Sequence, residues 1–334
     1  MEKIKPVKIS VKNYDKTFGF SRLELNIKGD NVNHIIVNSL KRVVQTDIPI
    51  FAFNNFNITK NTSVFNNNFI KNQVRNIPVW GIENDLEEYV EDEEEEEEQF
   101  DEKMGLINDD IELEVEKNFD ISALNKLNMY VDVQNKSNEI KVVTTNDCKF
   151  YYKEGMIDSP YKNAVQILKL QPNQEIKMSV QADIGKEEIS GIYSATSACY
   201  FKESKDCKGE CNDYDFIIES RGQIPESRIL VLALKSLTKK LHNFLEAIPK
   251  NKGMEGTILV DGEDHTLGGI ISYGLQKHSS VKFGGYNTPH PLNRQIKIHY
   301  KLDSGNLNTV MKDIVVYYEK LFDEIRSNIE KLVK

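Results

Sequence analysis

Gly262-Glu263-Asp264-His265-Thr266-Leu267-Gly268-Gly269-Ile270 reads as a tight turn that runs straight into a helix. Asp264 is of the residue type whose side chain accepts from the exposed amides of a first helical turn, worth ~1 kcal/mol. Leu267, Ile270, Ile271 and Leu275 then recur at helical spacing. Upstream, Thr257 and Leu259 mark a strand, and two more strands are expected near 281–283 and 296–300. Val310, Ile314, Tyr318, Leu321, Ile325, Ile329 and Leu332 line one face of a long closing helix.

The same order opens the chain. Val7, Ile9 and Val11 alternate, as do Leu23, Leu25 and Ile27, so two strands are expected. Gly29-Asp30 ends the second strand, and Val32, Ile35, Ile36, Leu40, Val43 and Val44 follow with a helical period, capped by Asp30 or Asn31. Asp47-Ile48-Pro49 stops that helix, because the residue before proline is pushed out of the helical region. A second helix, opened by Pro225 and ended by Pro249, carries Ile229, Leu230, Ala233, Leu234, Leu237, Leu241, Phe244 and Ile248 on one stripe. Strand–turn–helix thus occurs twice, over 23–44 and 257–277, each followed by a long amphipathic helix. Neither half covers its own long helix, so the pattern predicts an intrachain pseudo-dimer with an α+β fold. Leu40, Leu237, Leu241, Phe244, Leu267, Leu275, Ile314, Leu321 and Ile325 are its expected contact residues.

Between the halves the texture changes. An asparagine-rich stretch at 54–76 leads to Trp80 and then to 14 acidic residues, with no basic one, between Glu83 and Glu102. Such a run self-repels and reads as a disordered loop. Strand-like runs resume at 129–133, 140–145, 165–170, 176–180, 193–201 and 215–219. The expected organisation is 1–46 plus 176–250 as one dimerisation domain, 47–175 as a mainly β insertion, 251–253 as a linker and 254–334 as the second module.

Composition narrows the class. With 39% hydrophobic and 28% charged residues the 334-residue chain has the material for globular cores. No stretch approaches the ~20 apolar residues of a spanning helix, and Met-Glu-Lys-Ile-Lys-Pro at the start has no apolar core of a signal peptide, so neither membrane insertion nor secretion is expected. The net charge of −9 comes from the acidic tract alone: without it, 38 acidic residues face 43 basic ones. No broad basic stripe marks a free-standing nucleic-acid binder. Cys148, Cys199, Cys207 and Cys211 are too few for a disulfide scaffold.

The motifs carry a specific resemblance. The stretch 262–270 resembles the "EDHTLGN" signature of the smaller alpha-like subunit of multisubunit RNA polymerases. Val281-Lys282-Phe283-Gly284-Gly285-Tyr286-Asn287-Thr288-Pro289-His290-Pro291-Leu292 is similar to its companion "V.FAGYxxPHPL", at the family's spacing. The rest resembles the larger alpha-like subunit. Asn38-Ser39-Leu40-Lys41-Arg42-Val43 is similar to "NALRRV", Asp47-Ile48-Pro49 to the "E-V-P" after it, and Asn61-Thr62-Ser63-Val64 through Asn76-Ile77-Pro78-Val79 to "NTS…HRLGLIPI". Ile167-Leu168-Lys169-Leu170 with Gln174-Glu175-Ile176 resembles the strand returning from the insertion, and Gly185-Lys186-Glu187-Glu188 the "GKEH" loop. Lys41 stands for the motif's first arginine and cannot make a bidentate fork; Gly269 stands for the asparagine of "HTLGN". Cellular eukaryotes and archaea encode the two subunits separately, and a fused chain resembles those of large DNA viruses.

The resemblance implies the alpha-like dimerisation fold present twice and a non-catalytic platform on which the second-largest and then the largest catalytic subunit assemble. It also implies contact with a small platform subunit, and with DNA and RNA only through the complex. Asn38, Lys41, Arg42, Lys186, Glu187, His265, Thr266, Tyr286, Pro289 and His290 are the implied partner-facing residues. Lys41 and Arg42 sit off the apolar face of their helix, and reversal of Arg42 is expected to weaken capture of the second-largest subunit without unfolding the chain. An intracellular site is implied: a virus factory or virion if viral, otherwise the nucleus.

Competing readings need residues that the sequence does not supply. His265 has no nucleophile or paired acid near it in sequence. Cys207-x3-Cys211 lacks the second close pair that a structural zinc site wants, so no cofactor is expected. Phosphate-loop, dinucleotide and metalloprotease patterns are absent, as is the polymerase's aspartate-rich catalytic motif. A free acidic chaperone or adaptor acting through the tract remains the rival from another class, with a zinc hydrolase a distant third.

Overall fold

The computed structural model describes residues 4–17, 20–80, 127–153, 155–204, 211–248, 253–290 and 293–332. The acidic tract and Cys207 lie outside these residues. The chain divides into two compact units, one formed by Met1–Ile48 with Ser194–Lys334 and the other by Pro49–Tyr193.

In the first unit, β1 (Lys8–Thr17), β2 (Phe20–Lys28), β10 (Thr196–Glu203) and β11 (Asp213–Ser220) form an antiparallel sheet in the order β1-β2-β11-β10. Leu23, Leu25 and Ile27 on β2 stand opposite Ile218, Phe216 and Tyr214 on β11, and all six are buried. The period of two sends this set to one face. Helices α1 (His34–Thr46) and α3 (Glu226–Ala247) cover that face, and α5 (Leu307–Leu332) lies against β1. A second antiparallel sheet, ordered β12-β14-β13, is built from β12 (Glu255–Asp261), β13 (Val281–Asn287) and β14 (Gln295–Leu302). Helix α4 (His265–Lys277) lies on β13 and β14.

Four helices join the two sheets: α3 packs on α5, α1 on α3 and α4, and α4 on α5. Leu40, Leu237, Leu241, Phe244, Leu267, Leu275, Ile314, Leu321 and Ile325 are all buried in this unit. Gly274 lets α4 approach α5 closely, since a Cβ there would stand 2.5 Å from Ile314.

The other unit has a five-stranded antiparallel sheet. Its order is β3-β9-β4-β6-β7, from β3 (Ile50–Asn61), β4 (Asn128–Gln134), β6 (Cys148–Tyr152), β7 (Gly155–Ile157) and β9 (Glu175–Gly185). A two-stranded sheet pairs β5 (Lys141–Thr144) with β8 (Gln166–Leu170). Helix α2 (Asn67–Arg75) adds Ile70 and Val74 to a core with Phe53, Met129, Phe150, Leu168 and Ile176.

Several sequence expectations need correction. Residues 176–193 belong to the unit at 49–193 rather than with residues 1–46, where the sequence leads one to expect them, because β9 pairs along its whole length with β3. The asparagine-rich stretch, to which the sequence assigns no element, holds the second part of β3 and all of α2; asparagine is a poor strand former, and cross-strand pairing overrides its local preference. The cap of α1 is Asn33, whose Oδ1 accepts from the amides of Ile35 and Ile36, rather than Asp30 or Asn31.

Candidate functional site

The motif residues of α1 and α4 meet in the first unit. Helix α1 turns Ile36, Val37, Leu40, Val43 and Val44 inward, which leaves Asn38 exposed and Lys41 and Arg42 half-buried on its flank. The turn before α4 closes on that flank. Asp264 caps α4 by accepting from the Thr266 amide at 2.7 Å through Oδ1. Its other oxygen accepts from Arg42 Nη2 at 2.5 Å, and Arg42 Nε donates to Thr266 Oγ1 at 2.9 Å. One guanidinium fork thus ties α1 to the start of α4.

A second contact lies beside it. Lys240 on α3 stands 3.3 Å from Asp47 Oδ2 and 3.7 Å from Glu263 Oε2. Asp47 also accepts from Ser236 Oγ at 3.2 Å and from Thr46 Oγ1 at 2.5 Å. Three carboxylates therefore converge on two cations, with side-chain exposures from 11% at Asp47 to 36% at Arg42.

These environments push the carboxyls apart. Burial would raise Asp264, but hydrogen bonds from Thr266 and Arg42 outweigh it and hold the group below its usual range. Burial raises Glu263, and Lys240 only partly offsets it because Asp264 and Asp47 add like charge. Lys240 shifts up despite its own burial, since both Asp47 and Glu263 face it. The two partners of the 3.7 Å pair thus both titrate high. The lysine gains from two anions, while the glutamate sees one cation and two anions.

The exposed side of the site is aromatic and imidazole. His265 Nδ1 lies 3.2 Å from the Tyr286 hydroxyl, with the rings edge-to-face and their centroids 5.8 Å apart. Tyr286 covers Gly268 so closely that a Cβ there would stand 2.5 Å from its ring. Gly269 faces Ile35 of α1 at 3.6 Å from where its Cβ would be. Pro289 and His290 are exposed at the end of β13.

Of the ten partner-facing residues implied by the motifs, Asn38, Lys41, Arg42, His265, Thr266, Tyr286, Pro289 and His290 belong to the first unit. Lys186 and Glu187 belong to the other, in the turn after β9. Two are engaged within the chain. Thr266 is 4% exposed and serves the helix start. Arg42 holds Asp264 and Thr266 while its side chain stays 36% exposed. Periodicity places Arg42 off its own helix's apolar stripe, but no local pattern shows that a turn 222 positions away covers that flank. The sequence does not mark Lys240 or Glu263 as site residues, because a lysine on a polar helix flank and a glutamate in a turn carry no distinguishing spacing. Among the described residues no group of three His, Cys, Asp or Glu side chains converges as a metal site. Burial pushes the Cys199 thiol up to about 12, with the Lys41 charge opposing it. No helix among the described residues is long and apolar enough to cross a membrane.

Residues 255–328, which include α4, β13 and most of α5, match the family model of the RNA polymerase Rpb3/Rpb11 dimerisation domain. The chain is also 35% identical over 71 residues to Rpo11, a DNA-directed RNA polymerase subunit of Metallosphaera sedula, and covers 79% of it. The chain belongs to the alpha-like subunits of DNA-directed RNA polymerase. A protein named as a DNA-directed RNA polymerase subunit in Acanthamoeba polyphaga mimivirus is 26% identical over 332 residues, which span 92% of this chain and 90% of that one. RPAC2 of RNA polymerases I and III from Caenorhabditis elegans is 34% identical over 76 residues, and the chain spans about half of it, 53%. The alpha-like family therefore accounts for α4 and its cap turn directly, and the viral relative is similar along nearly the whole chain.

Proposed function

We propose that this chain is the assembly platform of a DNA-directed RNA polymerase, with the larger and smaller alpha-like halves fused and paired within one polypeptide. The packing of α3 on α5 and of α1 on α4 within the first unit carries the reading, since each half covers a helix face that the other leaves open. On this reading residues 1–48 with 194–248 are the larger half, 255–332 the smaller one, and the unit at 49–193 is the inserted domain. Fusion replaces a bimolecular encounter with an intramolecular one, at effective concentrations on the order of mM for a short linker, so pairing survives dilution.

The second-largest catalytic subunit docks first and the largest follows, on the surfaces that carry Asn38, Lys41, His265, Tyr286, Pro289 and His290 in one unit and Lys186 and Glu187 in the other. A small platform subunit completes the assembly, and DNA and RNA are met only through the complex. The chain itself contributes geometry and no chemistry, and it holds no cofactor. The full-length viral relative supports a virus factory or virion as the place of action. Affinity purification of the tagged chain from its source cell tests the proposal. Co-purification of both large polymerase subunits is expected, and their absence under conditions that retain a folded chain overturns it.

A further inference from the structure

The contacts between the two halves of the first unit are electrostatically one-sided. Helices α1 and α4 are each 13 residues long, and each starts with a histidine directly after its cap, Asn33 or Asp264. Counted from the cap, Arg42 of α1 corresponds to Tyr273 of α4, Asn33 to Asp264, and Val32 to Glu263. Along the long helices, Leu237, Leu241 and Phe244 of α3 have the spacing of Ile314, Tyr318 and Leu321 of α5, which sets Lys240 against Tyr317. Where the turn of the second half meets the first half, Arg42 and Lys240 face Asp264 and Glu263. Where the turn of the first half meets the second, the contact is neutral: Asn31 Nδ2 donates to the Tyr317 hydroxyl at 2.7 Å.

Like-with-like pairing would waste this arrangement. Two first halves would place Arg42 against Val32 and Asn33, with the nearby Asp30 already held by Lys5 at 2.8 Å, and would leave Lys240 with only Asp47 of its own half. Two second halves would place Glu263 and Asp264 against the aromatic residues Tyr273 and Tyr317. The first arrangement strips Arg42, and the second both carboxylates, of the counter-charge found in the unlike pair, and stranding a partly desolvated charge costs more than forming the pair gains. Discrimination of this kind works by penalising the wrong partner. The raised Glu263 fits that role, since its burial is unfavourable even with Lys240 in place.

We propose that Arg42 and Lys240 in the first half, with Glu263 and Asp264 in the second, are the residues that restrict pairing to unlike halves and so keep the chain paired with itself. The proposal rests on the two-halves reading above. Its test uses the purified full chain, so it does not depend on recruitment of other subunits. R42E sets a glutamate against Asp264 and makes the like pair the less repulsive option. D264N removes the charge while keeping a capping side chain. R42E is expected to melt lower by on the order of 5 °C and to form higher-mass species by sedimentation velocity, increasing with chain concentration. R42E/D264N is expected to regain much of both the melting temperature and the monomeric mass. Where R42E gives no soluble chain, R42Q compared with R42Q/D264N reads the same coupling. Unchanged mass for R42E, or a double variant no better than the worse single one, overturns the proposal. Intact capture of the large subunits alongside such a result would leave the platform reading standing.

Discussion

Asn31 and Tyr317 are 286 positions apart, yet the amide of the first donates to the hydroxyl of the second at 2.7 Å. Asn328 Nδ2 adds a bond to the Val7 carbonyl at 2.8 Å, so the last helix ties back to the first residues of the chain at two points. Together with the Arg42–Asp264 pair, these bonds tie the opening segment of the first unit to its closing segment at three points. The apolar stripes supply the bulk of the attraction between them, and the polar contacts set the register.

The helix interface should respond differently to two neighbouring kinds of change. Leu241 is fully buried on α3, and Leu241→Ala leaves a cavity that should cost ~2–5 kcal/mol by chemical denaturation. Tyr318 is as buried on α5, but its hydroxyl has no hydrogen-bond partner among the described residues. Tyr318→Phe removes that unsatisfied group and should stabilise the chain by ~1 kcal/mol. A destabilised Tyr318→Phe variant would show that the hydroxyl is satisfied after all.

The adjacent glycines of the motif should not be equivalent. A methyl at Gly268 would press into the Tyr286 ring, whereas one at Gly269 meets only Ile35 at ordinary contact distance. Gly268→Ala should cost ~1–3 kcal/mol through overpacking and displace Tyr286 from His265, visible as a changed His265 imidazole resonance. Gly269→Asn, which restores the family's residue, should fold with a nearly unchanged melting temperature. Equal losses from both changes would contradict the packing described.

Asp264 gives the fold a pH signature. Its carboxyl is held below the ordinary value of 3.8 in the folded chain. Its contribution is therefore complete above that value and is lost as the pH falls through the lower, folded value. Asp264→Asn should melt below the unsubstituted chain at pH 7, and the gap should narrow as the pH falls below the usual carboxylate range. Glu263 acts with the opposite sign, because burial raises its folded value: its contribution is most favourable at acid pH and declines as the pH rises through that value. A gap at Asp264→Asn that widens on acidification would reverse the assignment.

Fourteen carboxylates within residues 83–102 make burial of that tract against either unit expensive. Replacing residues 82–102 by a short Gly-Ser bridge should leave the melting temperature unchanged, since loop length alters closure entropy by only ~0.6 kcal/mol per doubling. Recovery of both large polymerase subunits with the shortened chain is the expected result. Loss of their capture would favour a docking or chaperone-like role for the tract.

Local patterning is enough to find the helices α1, α3, α4 and α5, because each carries an apolar stripe at 3.6-residue spacing. It also identifies the family, through the turn at 262–264 and the Gly-Tyr-x-x-Pro-His run at 285–290, where particular residue types recur at particular spacings. It did not determine β3, whose asparagines have little strand preference and adopt the strand only when paired with β9. Nor did it determine the fate of Arg42. A helix flank reads as solvent-facing until another part of the chain covers it, and only the tertiary structure brings Asp264 and Thr266 to the guanidinium. Local periodicity reports which face of an element is apolar. Which polar groups meet across the halves depends on contacts hundreds of residues apart, and no local pattern encodes those.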